Sequence, residues 1–116
     1  MDAFHIDRLT AGLDPSQHDY DEFFFGRELS LTLARWLAGE VDTQSPHTED
    51  EVYYVVSGRA RITVAGETED VTSGSIVFVA AGVEHRFHDI EEDLLTLVFW
   101  APPRHSTRST RVTSAT

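Results

Sequence analysis

The chain has 116 residues, enough for one domain with one core and too few for two. Its formal net charge of −11 would repel a phosphate polymer or an anionic membrane surface over most of the molecule, so neither nucleic acid nor membrane is expected as a partner. It lacks cysteine, which removes disulfide and thiol chemistry, and all nine of its basic residues are arginine.

Asp2 and Asp7 near the N-terminus do not fit the basic-plus-apolar pattern of a signal peptide, and no apolar run reaches bilayer length, so a cytoplasmic protein is expected. Phe4 to Asp7 alternates apolar and polar residues as a short strand would, and Ala11 to Gln17, with Gly12 and Pro15, reads as loop. The acidic run Asp19 to Glu22 then gives way to Phe23, Phe24 and Phe25, which cannot all face one side of a strand. Two readings stand level: they plug one end of a barrel, or they pack on a partner subunit.

From Glu28 to Ala38, Leu29, Leu31, Leu33, Arg35 and Leu37 share one face, predicting a long strand with a strongly buried side. Strands are also expected at Glu51 to Val56 and Arg59 to Val64, joined as a hairpin at Ser57-Gly58. Further strands are expected at Glu67 to Val71, Ile76 to Val79, His85 to His88 and Leu94 to Trp100. Pro102-Pro103 ends the last strand, and the Ser, Thr and Arg composition from Arg104 to Thr116 reads as a mobile tail. Short strands with turn glycines at regular intervals and no helical periodicity predict an all-β fold, an antiparallel β-sandwich or barrel. The expected divisions are an N-terminal arm and first strand at 1–27, a barrel at 28–103 and a polar tail at 104–116.

The chemistry-bearing residues concentrate in two stretches. In Gly39 to Gly58, a loop rich in ligand-type side chains runs into a strand, and His47 and Glu51 share the same parity in an extended chain. Gly74 to Asp89 adds His85 after another apolar run, and two imidazoles with a carboxylate suit a divalent metal. Glu49 has the parity of Glu51 and is a candidate ligand or base, although Thr48-Glu49-Asp50 reads first as a solvated acidic run. His5, His18, His88 and His105 read as ordinary structural or surface histidines.

The two stretches resemble the two motifs of the cupin superfamily. The first is a glycine, five residues, His-x-His, three residues, a glutamate, six residues and a glycine, and Gly39, His47, Glu51 and Gly58 fall in register. The second is a glycine, five residues, Pro-x-Gly, two residues, a histidine, three residues and an asparagine, matched by Gly74, Gly82 and His85. Ser45, Ala80 and Asp89 depart from the pattern, Ser45 standing where the family has its first metal-binding histidine. Gln44 beside it offers an amide oxygen as a substitute ligand.

The resemblance implies a jelly-roll barrel in which His47, Glu51 and His85 hold a divalent transition metal, with Fe, Mn, Zn, Ni and Co all suited to the set. An apolar cavity is expected around it, with Tyr53, Val55, Ile62, Phe78, Phe87 and Trp100 as candidate lining residues. The function expected is a metal-dependent oxygenase, isomerase, cyclase or lyase acting on a small organic molecule, with Tyr53 or Glu49 as acid or base. The alternative is a non-catalytic small-molecule-binding module whose metal site is degenerate or empty. Strands apolar on both faces, such as Ile76 to Val79 and Leu94 to Trp100, predict a homodimer.

Overall fold

A computed structural model describes residues 1–106 of the chain. It contains one short helix, α1 (Ile6–Ala11), and six strands: β1 (Asp19–Phe25), β2 (Ser30–Trp36), β3 (Asp50–Val64), β4 (Glu67–Thr72), β5 (Ile76–Val79) and β6 (His85–Ala101). Every strand pairing is antiparallel, in the order β1-β2-β6-β3-β4, with β5 added on β3. The sheet does not close into a ring: β1 and β4 end the order, and the jelly-roll is open between them.

Two strands make both layers. The first part of β3 lies between β5 and the end of β6, through Glu51↔Val79 and Glu51↔Trp100. Its second part lies between β4 and the beginning of β6, through Ile62↔Glu69 and Ile62↔Phe87. Ser57-Gly58 was expected to turn a hairpin, yet the chain runs straight through it. The parity change that mimics a turn comes from irregularities in the β3–β6 ladder between Val55 and Arg61, which move the inward set from Glu51, Tyr53 and Val55 to Ala60 and Ile62. His85 to His88 and Leu94 to Trp100 are likewise one strand, interrupted in register where Asp89 adopts a positive φ of 48°.

The inward residues form the main core, in which Tyr53, Val55, Ile62, Phe87 and Leu94 are essentially inaccessible. Each such side chain contributes roughly 1.5–3 kcal/mol through burial. β2 carries a different division from the one its leucines suggest. Ser30, Thr32, Ala34 and Trp36 face inward and are buried, while Leu33 on the opposite face packs with Leu13 and Leu95 in a second cluster. That cluster is covered by α1, where a strand had been expected at Phe4 to Asp7. The spacing of Ile6, Leu9 and Leu13 is a helical face, and the His5 side chain caps the helix by accepting from the Asp7 amide.

The phenylalanines are accommodated by an extra residue in β1 between Asp21 and Phe24. Phe23 joins the second cluster, and Phe4 packs edge-on against Phe23 and Phe24 with ring centroids 4.9 and 5.9 Å away. Phe23 and Phe24 therefore pack under the N-terminal arm, while Phe25 is 53% exposed. Phe78, expected in the cavity, is 60% exposed on the outer face. It lies in a row with Val52, Phe99 and Leu31 across β5, β3, β6 and β2, beside the paired Ile76, Tyr54 and Leu97. Residues 107–116 of the expected tail lie outside the described residues, whereas Arg104 to Ser106 are placed against the rest of the fold.

Gly58 is the tightest point of the bend. Its φ is +100°, and a Cβ there would stand 2.2 Å from the Asp93 carbonyl oxygen and 2.8 Å from the Leu94 Cα, both backbone atoms. Gly66 has φ +84° with nothing within 4 Å. Gly58→Ala should therefore cost on the order of 3 kcal/mol or more, and Gly66→Ala only about 1–2 kcal/mol. Urea denaturation of the two variants checks this, and equal costs would mean that β6 yields easily at Asp93.

Candidate metal centre and its cavity

Glu51 begins β3 facing inward, His85 begins β6, and His47 sits in the loop between β2 and β3, its carbonyl accepting from the Gly82 amide at 2.7 Å. That bond joins the two motif stretches directly. One ligand-type atom from each of His47, Glu51 and His85 lies within 4.8 Å of the others. Glu51 and His85 are buried, and the His47 side chain is 11% exposed.

The contacts inside this group are unlike those of a finished hydrogen-bond network. Glu51 Oε1 stands 2.9 Å from His85 Nε2 and 3.8 Å from His47 Nε2. The shorter approach lacks hydrogen-bond alignment, so both Glu51 oxygens and His85 Nε2 are buried without a hydrogen-bond partner. Such orphaned groups are costly in a protein interior, and a cation between them satisfies all of them together. His85 Nδ1 meets the Val83 carbonyl at 2.9 Å, which fixes this nitrogen as the donor and leaves Nε2 facing the group. The donor set and its unpartnered atoms fit a divalent transition metal.

Electrostatics separate the two imidazoles. Burial, then the charges of Arg104 and His85, push His47 down to about 4, so it is neutral at neutral pH as a ligand must be. For His85, burial lowers the pKa, but the Glu51 carboxylate and the Val83 carbonyl outweigh it and the net shift is upward. A positive charge is thus favoured at the Glu51–His85 contact. Tyr53, beside it, is pushed well above the usual phenol range by burial and by the Glu51 charge, so its hydroxyl stays protonated.

A cavity of about 480 Å³ opens beside His47, lined also by Trp36, Gln44, Tyr53, Val98 and Trp100. Val55, Ile62 and Phe87 are buried in the main core and do not line it. His85 faces a second cavity of about 450 Å³ that Gln44 also lines, and Glu51 lines neither. The His47 ring stands edge-on to Trp100 at 4.9 Å and to His85 at 5.1 Å. Trp100 Nε1 donates to Thr32 Oγ1 at 2.9 Å, which fixes the indole in the wall.

Glu49 is not a solvated acid: it is 1% exposed, and both its oxygens are engaged. Arg104 Nη1 donates to Oε1 at 3.2 Å and the His105 amide donates to Oε2 at 2.6 Å. Arg104 also lies 4.9 Å over the Trp100 ring, and His105 meets Glu22 at 3.0 Å. The segment after β6 therefore forms part of the cavity mouth. Its basic residues resembled a tail because their partners, Glu49 and Glu22, are far away in sequence. Ser45, at the position of the missing histidine, is exposed, and the residue turned into the site is Gln44.

A family model described as a cupin domain matches residues 32–101. SCO3923, an uncharacterized protein of Streptomyces coelicolor, is 50% identical over 103 residues, covering 89% of this chain and 98% of its own. The crystal structure of TT1209 from Thermus thermophilus superposes with a TM-score of 0.74 at 25% identity, over 89% of this chain and 99% of its own. A salicylate 1,2-dioxygenase from Pseudaminobacter salicylatoxidans shares the fold at 18% identity and a TM-score of 0.68, over 72% of this chain and 26% of its own.

The Glu51 carboxylate is buried against His85 with no aligned hydrogen bond, and its desolvation costs stability in the metal-free chain. Glu51→Met, similar in volume and apolar, should raise its stability by about 1–3 kcal/mol, or several degrees in Tm, when measured in chelator. Added Co(II) should raise the Tm of the wild type and leave the variant unchanged. A variant less stable than wild type in chelator would mean that the Glu51–His85 contact holds the fold.

Proposed function

The chain belongs to the cupin domain family, and on that premise we propose that it is a metal-dependent enzyme acting on a small organic molecule, by oxygenation or by isomerase, cyclase or lyase chemistry. The observation that carries this reading is the convergence of His47, Glu51 and His85, with the Glu51 oxygens and His85 Nε2 buried without a hydrogen bond, beside an aromatic cavity of small-molecule size. Fe, Mn, Zn, Ni or Co held there would supply Lewis acidity or, with Fe, activation of dioxygen.

The chain's own residues supply the rest. Trp36, Trp100 and Val98 bind and orient an apolar body and exclude water beside His47. The Tyr53 hydroxyl, kept protonated, serves as hydrogen-bond donor or acid in the cavity. Glu49 holds Arg104 and the His105 amide and so acts on the shape of the mouth.

A second reading, a non-catalytic binding protein, is favoured by the state of the other carboxylates. Asp42 is held by Gln44 and the Phe87 amide, Glu40 by the Leu37 amide, and Glu49 by Arg104 and His105, leaving little free base in the cavity. Elemental analysis of protein purified without added metal tests the site: near-stoichiometric metal is expected in the wild type and its loss in Glu51→Ala. Metal-free wild type would sink the enzyme reading. Oxygen consumption and product analysis over a panel of small organic acids, phenols and sugars then separate enzyme from binder.

The row of Phe78, Val52, Phe99 and Leu31, with Ile76 and Tyr54, supports a homodimer through the outer face of this layer. Light scattering at micromolar concentration should give twice the chain mass, and Phe78→Glu should halve it. A monomeric wild type overturns the assembly and leaves the site untouched.

A further inference from the structure

The family's first histidine is absent, and the position that would carry it, Ser45, is exposed and lines neither cavity beside the site. The adjacent residue lines both. Gln44 Oε1 lies 2.8 Å from His47 Nε2 and 3.3 Å from the Tyr53 hydroxyl, in contact with one member of the donor group. Which end of an amide faces a site has to be read from its partners, and here they decide it. Asp42, itself buried, accepts from Gln44 Nε2 at 2.6 Å, and its Oδ1 accepts from the Gln44 backbone amide at 3.1 Å. Asp42 is fixed in turn by the Phe87 amide at 3.0 Å, so β6 anchors the carboxylate that orients the amide. The oxygen is therefore presented to the site and the nitrogen is turned away.

We propose that Gln44, through Oε1, is the fourth protein ligand of the metal centre, in place of the missing histidine. The inference rests on the metal-site reading above. The argument is one of lone pairs. His47 Nε2, the nitrogen 3.8 Å from Glu51 Oε1, carries a proton in the metal-free chain and gives it to Gln44 Oε1. As a ligand, that nitrogen has no proton to give, and the amide oxygen would then face a lone pair at 2.8 Å. Both lone pairs are satisfied if they point at the same cation. Metal–nitrogen and metal–oxygen bonds of about 2.0–2.2 Å place adjacent ligand atoms about 3 Å apart, the separation of Gln44 Oε1 from His47 Nε2 and of Glu51 Oε1 from His85 Nε2. A neutral oxygen donor in place of an imidazole leaves the centre harder and its bound cation more electrophilic.

The test uses the full chain loaded with Co(II), reading affinity by chelator competition and the ligand field from the visible absorption spectrum. Gln44→Ala should weaken binding by about tenfold or more and shift the spectrum. Gln44→His, which exchanges an oxygen donor for nitrogen, should bind at least as tightly as wild type with a different spectrum. Ser45→His should change neither. Wild-type affinity and spectrum in Gln44→Ala, with binding abolished in Glu51→Ala, would overturn this assignment and leave the metal centre standing. No Co(II) binding in the wild type would overturn both. Should Gln44→Ala fail to fold, Gln44→His decides alone, since an unchanged spectrum excludes position 44 from the coordination set.

Discussion

The structure depends on the bend of β3 and β6 over each other. Glu51 pairs with Trp100 at one end of their ladder, and His85 pairs with Val64 at the other. In flat, extended strands the distance from Glu51 to Val64 would put these two ends roughly 40 Å apart. The Glu51 and His85 side chains nonetheless meet at 2.9 Å. The irregular ladder from Val55 to Arg61, the close pass of Gly58 against Asp93 and the left-handed Asp89 together fold the pair back on itself. Core and candidate metal centre are thus two results of one deformation: the bend buries Tyr53, Ile62 and Phe87 and brings Glu51 and His85 together.

The centre is expensive to keep. A carboxylate buried with no aligned hydrogen bond and only His85 facing it works against folding, and the apolar contacts around it offset that cost. Nearby carboxylates show the ordinary solution. Asp42 and Glu49 are also buried, but Asp42 accepts from the Gln44 and Phe87 amides and the Gln44 side chain, and Glu49 from the His105 amide and Arg104. The contrast between these neighbouring carboxylates separates groups tied into the hydrogen-bonding of the fold from one that is not.

Much of this was legible in the sequence. The motif spacing placed His47, Glu51 and His85 together, because glycines at the turns fix the registers of the flanking strands. The position of β2 followed from alternation, and those of β4 and β5 from the turns at Ala65-Gly66 and Ser73-Gly74. Alternation could not tell a turn from a bulge at Gly58, since both reset parity, and it could not say which face of β2 is inner when the outer face is also covered. The helix was hidden because three apolar positions at Ile6, Leu9 and Leu13 make a weak signal that acquires meaning only over Leu33 and Leu95. The parts played by Arg104, His105 and Asp42 depend on partners distant in sequence, and no local pattern announces them.

β2 divides its labour in a way that bears on how such a protein changes over time. Leu33, on its outer side, holds α1 and the second cluster, while Thr32, Ala34 and Trp36 on its inner side front the cavity. An exchange at Ala34 alters the room available to a guest without touching the ligands on β3 and β6 or the contacts under the helix. The strand thus separates two tasks: the candidate metal-site residues Glu51 and His85 stand on other strands, and single steps along this one reshape the cavity alone.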